Sequence, residues 1–405
     1  MADTSPAGTT LDDRYDALLN LYHDGALDAA ASGARALLAE HAGHAGTLQL
    51  LGVLEARRGH FDSALELLDR AIADAQAMAS LHNNRGNVLV ALGRNAEAVA
   101  SYDRALDLGL EDAHALNNRG TALQSLQRFD AALASFDHAI ECRPEFAEAL
   151  LNRGELLIDM GRRGAGIESL QRARAAGSDD EKIAFALASL GVETHRGVAP
   201  PQFVRELFDN YAHNFDEHLT NQLGYRAHEF VARAVGDLGL TFAPAVVDLG
   251  CGTGLCGALL RSQASRLDGV DLSSSMLERA HRHEVYDELV CTELTAFLAE
   301  RPSAYDVAVA ADVLIYFGAL EPVFAAVRAA LRPGGWFVFS VEQSGGDEVH
   351  LQATRRFAHS AAYLERVAVQ HGFVVQRLVS EVLRHEGRAE VPGLLAVLQR
   401  AGGTA

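Results

Sequence analysis

Small residues in the first half of the chain recur at a step of 34. Gly52, Gly86, Gly120 and Gly154 keep it, and so do Gly59, Gly93 and Gly161, with Gln127 in the missing slot. Ala64, Ala98 and Ala132 share the step, as do Ala71, Ala105, Ala139 and Ala173. Self-similarity at this period predicts a stack of antiparallel helix pairs. The first glycine lets the two helices of a pair approach. The second ends the first helix, where Gly takes a positive φ without steric cost. The alanines let the second helix pack beneath the next repeat. Further on, KIAFALASLG reads as a last, capping helix, and Pro200 and Pro201 break any helix after it. Beyond about residue 195 the pattern becomes short β-branched runs between helical stretches, which predicts a parallel α/β sheet. The expected fold is thus α + α/β, with domains at 1–194 and 195–405.

The segment NNRGNVLVALGRNAEAVASYDRAL, from Asn83, resembles the tetratricopeptide repeat (TPR), and the resemblance covers residues 11–181. It implies an all-α solenoid of roughly five repeats with a concave groove and atypical ends. The family's usual proline near the repeat end survives only as Pro144. Asn84, Asn118 and Asn152 occupy one position of three successive repeats. In proteins of this kind such amides can hold an extended peptide, since an amide both donates and accepts. The other reading is that they bridge neighbouring repeats. The expected partner of the groove is a protein.

In the second half, PAVVDLGCGTGLCGALL reads as a strand through Val246 and Val247 with Asp248 at its end. A loop of Gly250, Cys251, Gly252 and Gly254 follows, and a helix begins near Leu255. A dinucleotide would bring its pyrophosphate to this loop, where an acidic neighbour is unfavourable. A ligand carrying an ammonium and a sulfonium would gain from Asp248. In SRLDGVDLSSSMLERA, Asp271 ends the next strand. A carboxylate at that place can grip ribose hydroxyls. One of Ser273, Ser274 and Ser275 caps the following helix.

DLGCGTG resembles the first motif of class I S-adenosylmethionine (SAM)-dependent methyltransferases. Later runs add to the resemblance: SAYDVAVAADVLIYF, with Ala311, Asp312 and Val313 at a strand end, and LRPGGWFVFSVE, with a Pro333–Gly335 turn into strand 336–341. Runs at 373–378 and 394–398 would be strands six and seven, giving a Rossmann-like seven-stranded sheet with an antiparallel edge. The resemblance extends to predicted bacterial methyltransferases with N-terminal TPR repeats. It implies SAM as cofactor, with Leu272 and Met276 beside the adenosine, Glu293 and Leu294 at the adenine, and Asp312 beside the crevice. It also implies a lid over 202–235, where Phe208, Tyr211, Phe215 and Leu219 have helical spacing and Tyr211 would reach the cofactor.

Methyl transfer is an in-line displacement, so such an enzyme chiefly aligns its reactants and excludes water. A base is needed only for a protonated acceptor. His359 is the candidate, with Tyr316, Arg356 and Tyr363 orienting the acceptor. ADVLIYF replaces the [DNS]-PP-[YFW] loop of enzymes that methylate planar amines, and the two-glutamate hairpin of arginine methyltransferases is missing. A small-molecule acid or hydroxyl, or a protein side chain, remains open as acceptor.

Charge narrows the partners. Against 54 acidic side chains stand 35 basic ones, a net charge of −19. Such a balance disfavours nucleic acid. Cys142, Cys251, Cys256 and Cys291 form neither a disulfide framework nor a zinc set and are expected to be buried thiols. The N-terminus is polar, and no apolar run is long enough to span a bilayer, so a cytoplasmic protein is expected. Two other readings are a TPR scaffold whose second half binds SAM without turnover, and a dinucleotide oxidoreductase.

Overall fold

The computed structural model describes residues 10–177, 181–195, 197–212, 215–217, 223–346, 348–386 and 389–402; the side chains of residues 210, 211 and 217 are outside that set. The chain divides into two compact units, Met1–Asp179 and Asp180–Ala405. Among the described residues no helix is long and apolar enough to cross a membrane.

Helices of the first unit alternate in antiparallel pairs from Leu11–His23 to Arg163–Ala175. First helices of successive repeats, Ala45–Arg57, Ala79–Ala91, Ala113–Ser125 and Ala147–Asp159, start at the step of the glycines. That step has two separate causes. A Cβ on Gly86 would lie 2.6 Å from the Tyr102 ring, and one on Gly120 would lie 2.5 Å from the Phe136 ring. Each glycine is thus the seat of a fully buried aromatic from the second helix of its own repeat. Gly59, Gly93 and Gly161 turn the chain at φ 80°, 71° and 75°, and Gln127 takes the same left-handed turn at φ 58°. That last turn costs about 1–2 kcal/mol that glycine would spare.

A third periodic device binds the repeats. Arg85, Arg119 and Arg153 each donate Nε to the aspartate sixteen positions earlier: Asp69 at 2.6 Å, Asp103 at 2.6 Å and Asp137 at 2.5 Å. Each also donates an Nη1 hydrogen to a serine sixteen positions later, Ser101, Ser135 or Ser169, at 2.8, 2.6 and 3.3 Å. One guanidinium therefore ties its own repeat to the one before. The aspartates and serines recur at the same step as the glycines, so the sequence carried the signal.

The second unit holds one sheet of strands β1 (Ala245–Leu249), β2 (Arg266–Asp271), β3 (Glu288–Cys291), β4 (Tyr305–Ala310), β5 (Leu331–Gln343), β6 (Val349–Leu351), β7 (Phe357–His359), β8 (Phe373–Glu386) and β9 (Ala389–Arg400). β3-β2-β1-β4-β5 run parallel. β9 pairs antiparallel with β5, and β8 with β9. These seven make the expected sheet, although β8 and β9 are much longer than the runs at 373–378 and 394–398. A small pair, β7 and β6, extends the far end of β5 through Glu342 and Gln343. The Pro333–Gly335 turn sits inside β5, where the register with β4 shifts between Tyr305 and Val307. All of β1 is buried, as a strand covered on both faces requires.

Helix Glu181–Ser189, expected to cap the repeats, falls in the second unit, so the division comes at 179/180 instead of 194/195. Its Phe185 packs with Ala199, Val204 and Phe357. The apolar run is real, and Phe185 joins a cluster of the sheet unit.

Candidate active site

Strand order reverses between β1 and β4, so a crevice opens at the carboxyl ends of β1, β2 and β4. The glycine loop lines it. Gly250, Gly252 and Gly254 have φ of 66°, 54° and 95°, and Gly254 is the left-handed cap of helix Leu255–Leu260. A Cβ on Gly250 would collide with Val313. A Cβ on Gly252 would meet only Phe215, 3.9 Å away, so it would occupy the crevice itself. The loop thus presents bare backbone to whatever binds.

Asp271 stands beside the loop. Its Oδ2 accepts from Gly252 N at 2.9 Å and its Oδ1 from Ser273 N at 2.9 Å. These bonds aim the carboxylate and leave each oxygen a lone pair. Burial raises its pKa, against the lowering effect of the same bonds. Asp248 is buried beneath the loop and accepts from Tyr286 Oη at 2.7 Å. Burial pushes its pKa up to about 7, with the Tyr286 bond opposing and Asp271 adding to the rise.

Two cavities meet at Gly250, Asp271, Phe208, Val313 and Tyr316. The first extends past Leu272 to Glu293 and Leu294, and none of its lining residues is basic. The second, about 440 Å³, has apolar and aromatic walls that include Leu207, Phe215, Leu223, Tyr225 and Ile315. Its polar floor is Asp312, Arg356, Arg384 and Glu386. Arg384 pairs with Asp312 at 3.0 Å, with Glu386 at 3.2 Å and with Glu342. Arg356 pairs with Glu342 at 2.8 Å and with Glu386. Burial alone would lower the Arg384 pKa, but Asp312 and Glu342 beside it raise it instead. Burial likewise opposes the ionisation of Glu386, and Arg356 and Arg384 overcome it. Asp312 holds a left-handed φ of 60° and donates its backbone N–H to Ser340 Oγ at 2.9 Å.

The helix Pro201–Tyr211 carries Phe208 into both cavities, edge-on to Phe215 and Tyr316 at 5.9 and 5.6 Å. Its segment is tied down by Ser273 Oγ donating to Asp209 at 2.5 Å, Arg279 donating to Ala212 O at 2.5 Å and Thr253 Oγ1 donating to Asp216 at 2.5 Å. The Tyr211 side chain and Leu219, also expected here, lie outside the described residues.

The crevice gathers Asp248, Gly250, Cys251, Gly252, Asp271, Leu272, Glu293 and Leu294, while Tyr316, Arg356 and Asp312 line its larger half. Asp312 therefore faces the larger half with Arg384 and is absent from the lining of the half that holds Glu293. Three expectations are corrected. His359 is fully buried in β7, with Nε2 against the carbonyls of Phe317 and Gly318 at 2.8 and 3.2 Å. Burial lowers its pKa to about 4, and it lines neither cavity. Neither cavity reaches the ring, so it cannot take a proton from an acceptor held in them. Tyr363 is buried too: its Oη accepts from Leu320 N at 2.8 Å and donates to Glu321 at 2.9 Å, fixing the start of helix Glu321–Ala330. Met276 is core packing, with no exposed surface and no place in either lining. Of the thiols, Cys251 and Cys256 are buried, whereas Cys142 and Cys291 are exposed.

In the first unit the amides bridge repeats. Asn118 Nδ2 donates to Asn87 Oδ1 at 3.1 Å, and Asn152 Nδ2 to Asn117 Oδ1 at 2.9 Å. Asn84 lines a depression with Val53, Arg57, Phe61 and Val88. The sequence reading missed Arg384, Glu386 and Glu342. A local signal existed, because Arg384 and Glu386 are i, i+2 neighbours on β8 and so share one of its faces.

Residues 247–337 match a family described as a methyltransferase domain. Residues 76–145 and 117–181 match two tetratricopeptide-repeat families. A ubiquinone biosynthesis O-methyltransferase of Burkholderia thailandensis is 32% identical over 101 residues, 24% of this chain and 43% of that protein. A trans-aconitate 2-methyltransferase of Paracidovorax citrulli is 31% identical over 143 residues, 35% of this chain and 53% of that protein. The chain thus spans about half the length of these relatives. A solved 1,6-didemethyltoxoflavin-N1-methyltransferase of Burkholderia thailandensis, with bound 1,6-didemethyltoxoflavin and S-adenosylhomocysteine, is 19% identical with a TM-score of 0.42, covering 51% of this chain and 93% of that one. The chain joins N-terminal TPR repeats to a C-terminal class I methyltransferase domain. Domains of that class use SAM, and TPR domains mediate protein–protein contacts.

Proposed function

We propose that the second unit binds SAM across the crevice and transfers its methyl group to an oxygen of an acceptor held in the larger cavity, while the repeats dock a protein that is the acceptor or delivers it. The observation that carries the reading is a bare glycine backbone beside a smaller cavity whose charged residues, Asp271 and Glu293, are both acidic. That lining suits a cationic ligand without phosphate and opposes a pyrophosphate. Bound there, SAM would supply a methyl group activated by a sulfonium.

Asp271 would hold the ribose hydroxyls on the two lone pairs that Gly252 N and Ser273 N leave open. Glu293 and Leu294 would meet the adenine, and Gly250 and Gly252 the methionine chain. Phe208, Phe215 and Tyr316 would exclude water from the junction of the cavities. An oxygen acceptor is in keeping with the ubiquinone biosynthesis O-methyltransferase among the relatives.

Calorimetry tests the reading. S-adenosylhomocysteine should bind and NAD should not. Asp271→Ala should lose two charge-assisted bonds of about 1.5–3 kcal/mol each, which weakens affinity at least tenfold. Tight NAD binding, or unchanged affinity in the variant, would refute it.

A further inference from the structure

The floor of the larger cavity discriminates among oxygen acceptors. It is lined by two guanidiniums, Arg356 and Arg384, and two carboxylates, Asp312 and Glu386, and a third carboxylate, Glu342, pairs with both arginines from behind the lining. Both arginines are committed: each already pairs with at least two of the carboxylates, and the Arg384 side chain is only 2% exposed. With all five ionised the cluster carries one excess negative charge. No described basic residue besides these two lines the cavity. A carboxylate acceptor would therefore enter an apolar pocket with no spare cation and meet surplus anionic charge, which a low-dielectric site penalises strongly. The walls offer instead the rings of Phe208, Phe215, Tyr225 and Tyr316, faces suited to an aromatic plane.

Asp312 belongs to the floor, and its place in the chain sets it beside the glycine loop. It lies just past Ala310, the last residue of β4, and its neighbour Val313 packs against Gly250. Its backbone is kept in the left-handed region, a conformation that is costly away from Gly and concentrates at functional sites. Arg384 from β8 holds its carboxylate through both oxygens.

We propose that the acceptor is an uncharged aromatic hydroxyl compound, seated among these rings with its hydroxyl on Asp312, an assignment that rests on the methyl-transfer reading above. The hydroxyl proton passes to an Asp312 carboxylate oxygen. The electron pair left on the acceptor oxygen forms the new O–CH₃ bond, and the pair of the broken C–S bond returns to sulfur, which leaves as a neutral thioether. Asp312 then releases the proton to solvent. Arg384 is the positioning residue: it orients the carboxylate toward the hydroxyl.

The test uses the full chain, methyl-labelled SAM and two probes, catechol and trans-aconitate, with S-adenosylhomocysteine affinity measured in parallel by calorimetry. Label in catechol and not in trans-aconitate is the expected result. Label in trans-aconitate overturns the proposal, and so does label in neither probe while S-adenosylhomocysteine binds normally. Absent S-adenosylhomocysteine binding overturns the underlying methyl-transfer reading instead. Asp312→Asn should reduce catechol labelling by about 10²–10⁴-fold and leave S-adenosylhomocysteine affinity unchanged. Its residual rate should rise with pH toward the phenol's own pKa, about 10, because the acceptor must then ionise unaided. A merely structural role for Asp312 would not produce that pH profile, and a flat profile overturns the role of Asp312. If Asp312→Asn fails to bind S-adenosylhomocysteine, Asp312→Ser, which leaves Arg384 paired with Glu342 and Glu386, is read in the same way.

Discussion

The repeat unit and the cavity floor both rest on arginine–carboxylate pairs, yet they use them differently. Arg119 in the repeats is about a quarter exposed, and its partner Asp103 about half. Water screens that pair, and the same pair recurs one repeat away on each side, so no single copy is decisive. Arg384 in the floor is almost wholly buried and pairs with carboxylates from β5, β8 and the end of β4 at once; Arg356 shares Glu342 and Glu386 with it, but not Asp312. Repetition spreads stability over many weak ties, whereas the floor concentrates it in a few buried groups.

The heaviest loss should follow removal of Arg384. Arg384→Met leaves Asp312, Glu342 and Glu386 short of a cation in a buried place. Loss of one partner from such a network costs about 3–5 kcal/mol. Arg119→Met should cost about 1 kcal/mol or less after screening. Denaturant unfolding of both variants checks the contrast, and equal losses would overturn it.

Asp248 supplies the next effect. Its folded pKa, about 7, lies above the unfolded value of 3.8. The folded state therefore keeps a proton that the unfolded state releases. Its contribution to stability is full below the unfolded pKa and is lost as pH rises through the folded one. The expected slope between the two is about 1.4 kcal/mol per pH unit relative to Asp248→Asn. The ammonium of a ligand bound nearby favours the ionised form, so S-adenosylhomocysteine binding at mildly acid pH should release a proton. Calorimetry in buffers of different ionisation enthalpy measures it. Identical pH dependence in wild type and Asp248→Asn would show that burial does not hold the proton.

A smaller loss is expected in the repeats. Gly120→Ala forces a methyl group against the buried Phe136 ring. Overpacking of this kind costs about 1–3 kcal/mol. Gln127→Gly should act in the opposite direction by relieving a left-handed non-glycine turn. Thermal unfolding of the two variants should show shifts of opposite sign.

These contrasts also explain what the sequence made legible. The glycine steps are visible because their causes are local and return in each repeat: a seat for Tyr102 or Phe136, and a left-handed turn. DLGCGTG and Asp271 are visible for a related reason, since the loop and strand end that use them lie close along the chain. The floor is not, because Arg384 and Asp312 come from distant parts of the chain. His359 was misplaced because β6 and β7, an addition at the end of β5, turn its ring toward Phe317 and Gly318. Helix Glu181–Ser189 reads as apolar in either unit, and only its tertiary contacts assign it to the second.

The weakest effect concerns the amide ladder, which decides whether the repeats hide a site of their own. Asn118 and Asn152 each spend an amide hydrogen on the preceding repeat. A neutral hydrogen bond of this kind contributes about 1 kcal/mol net. Asn118→Ala/Asn152→Ala should therefore loosen two interfaces without unfolding the stack, because the arginine ties and seated aromatics remain. Amide hydrogen exchange in the full chain reads this locally. Exchange in helices Ala113–Ser125 and Ala147–Asp159 should quicken about fivefold to tenfold, while exchange in β1 and β4 stays the same. Unchanged exchange in both helices would mean that the bridges add nothing to the stack. The two amides would then be better explained by a ligand, and the contrast between a repeated scaffold and a single concentrated site would fail.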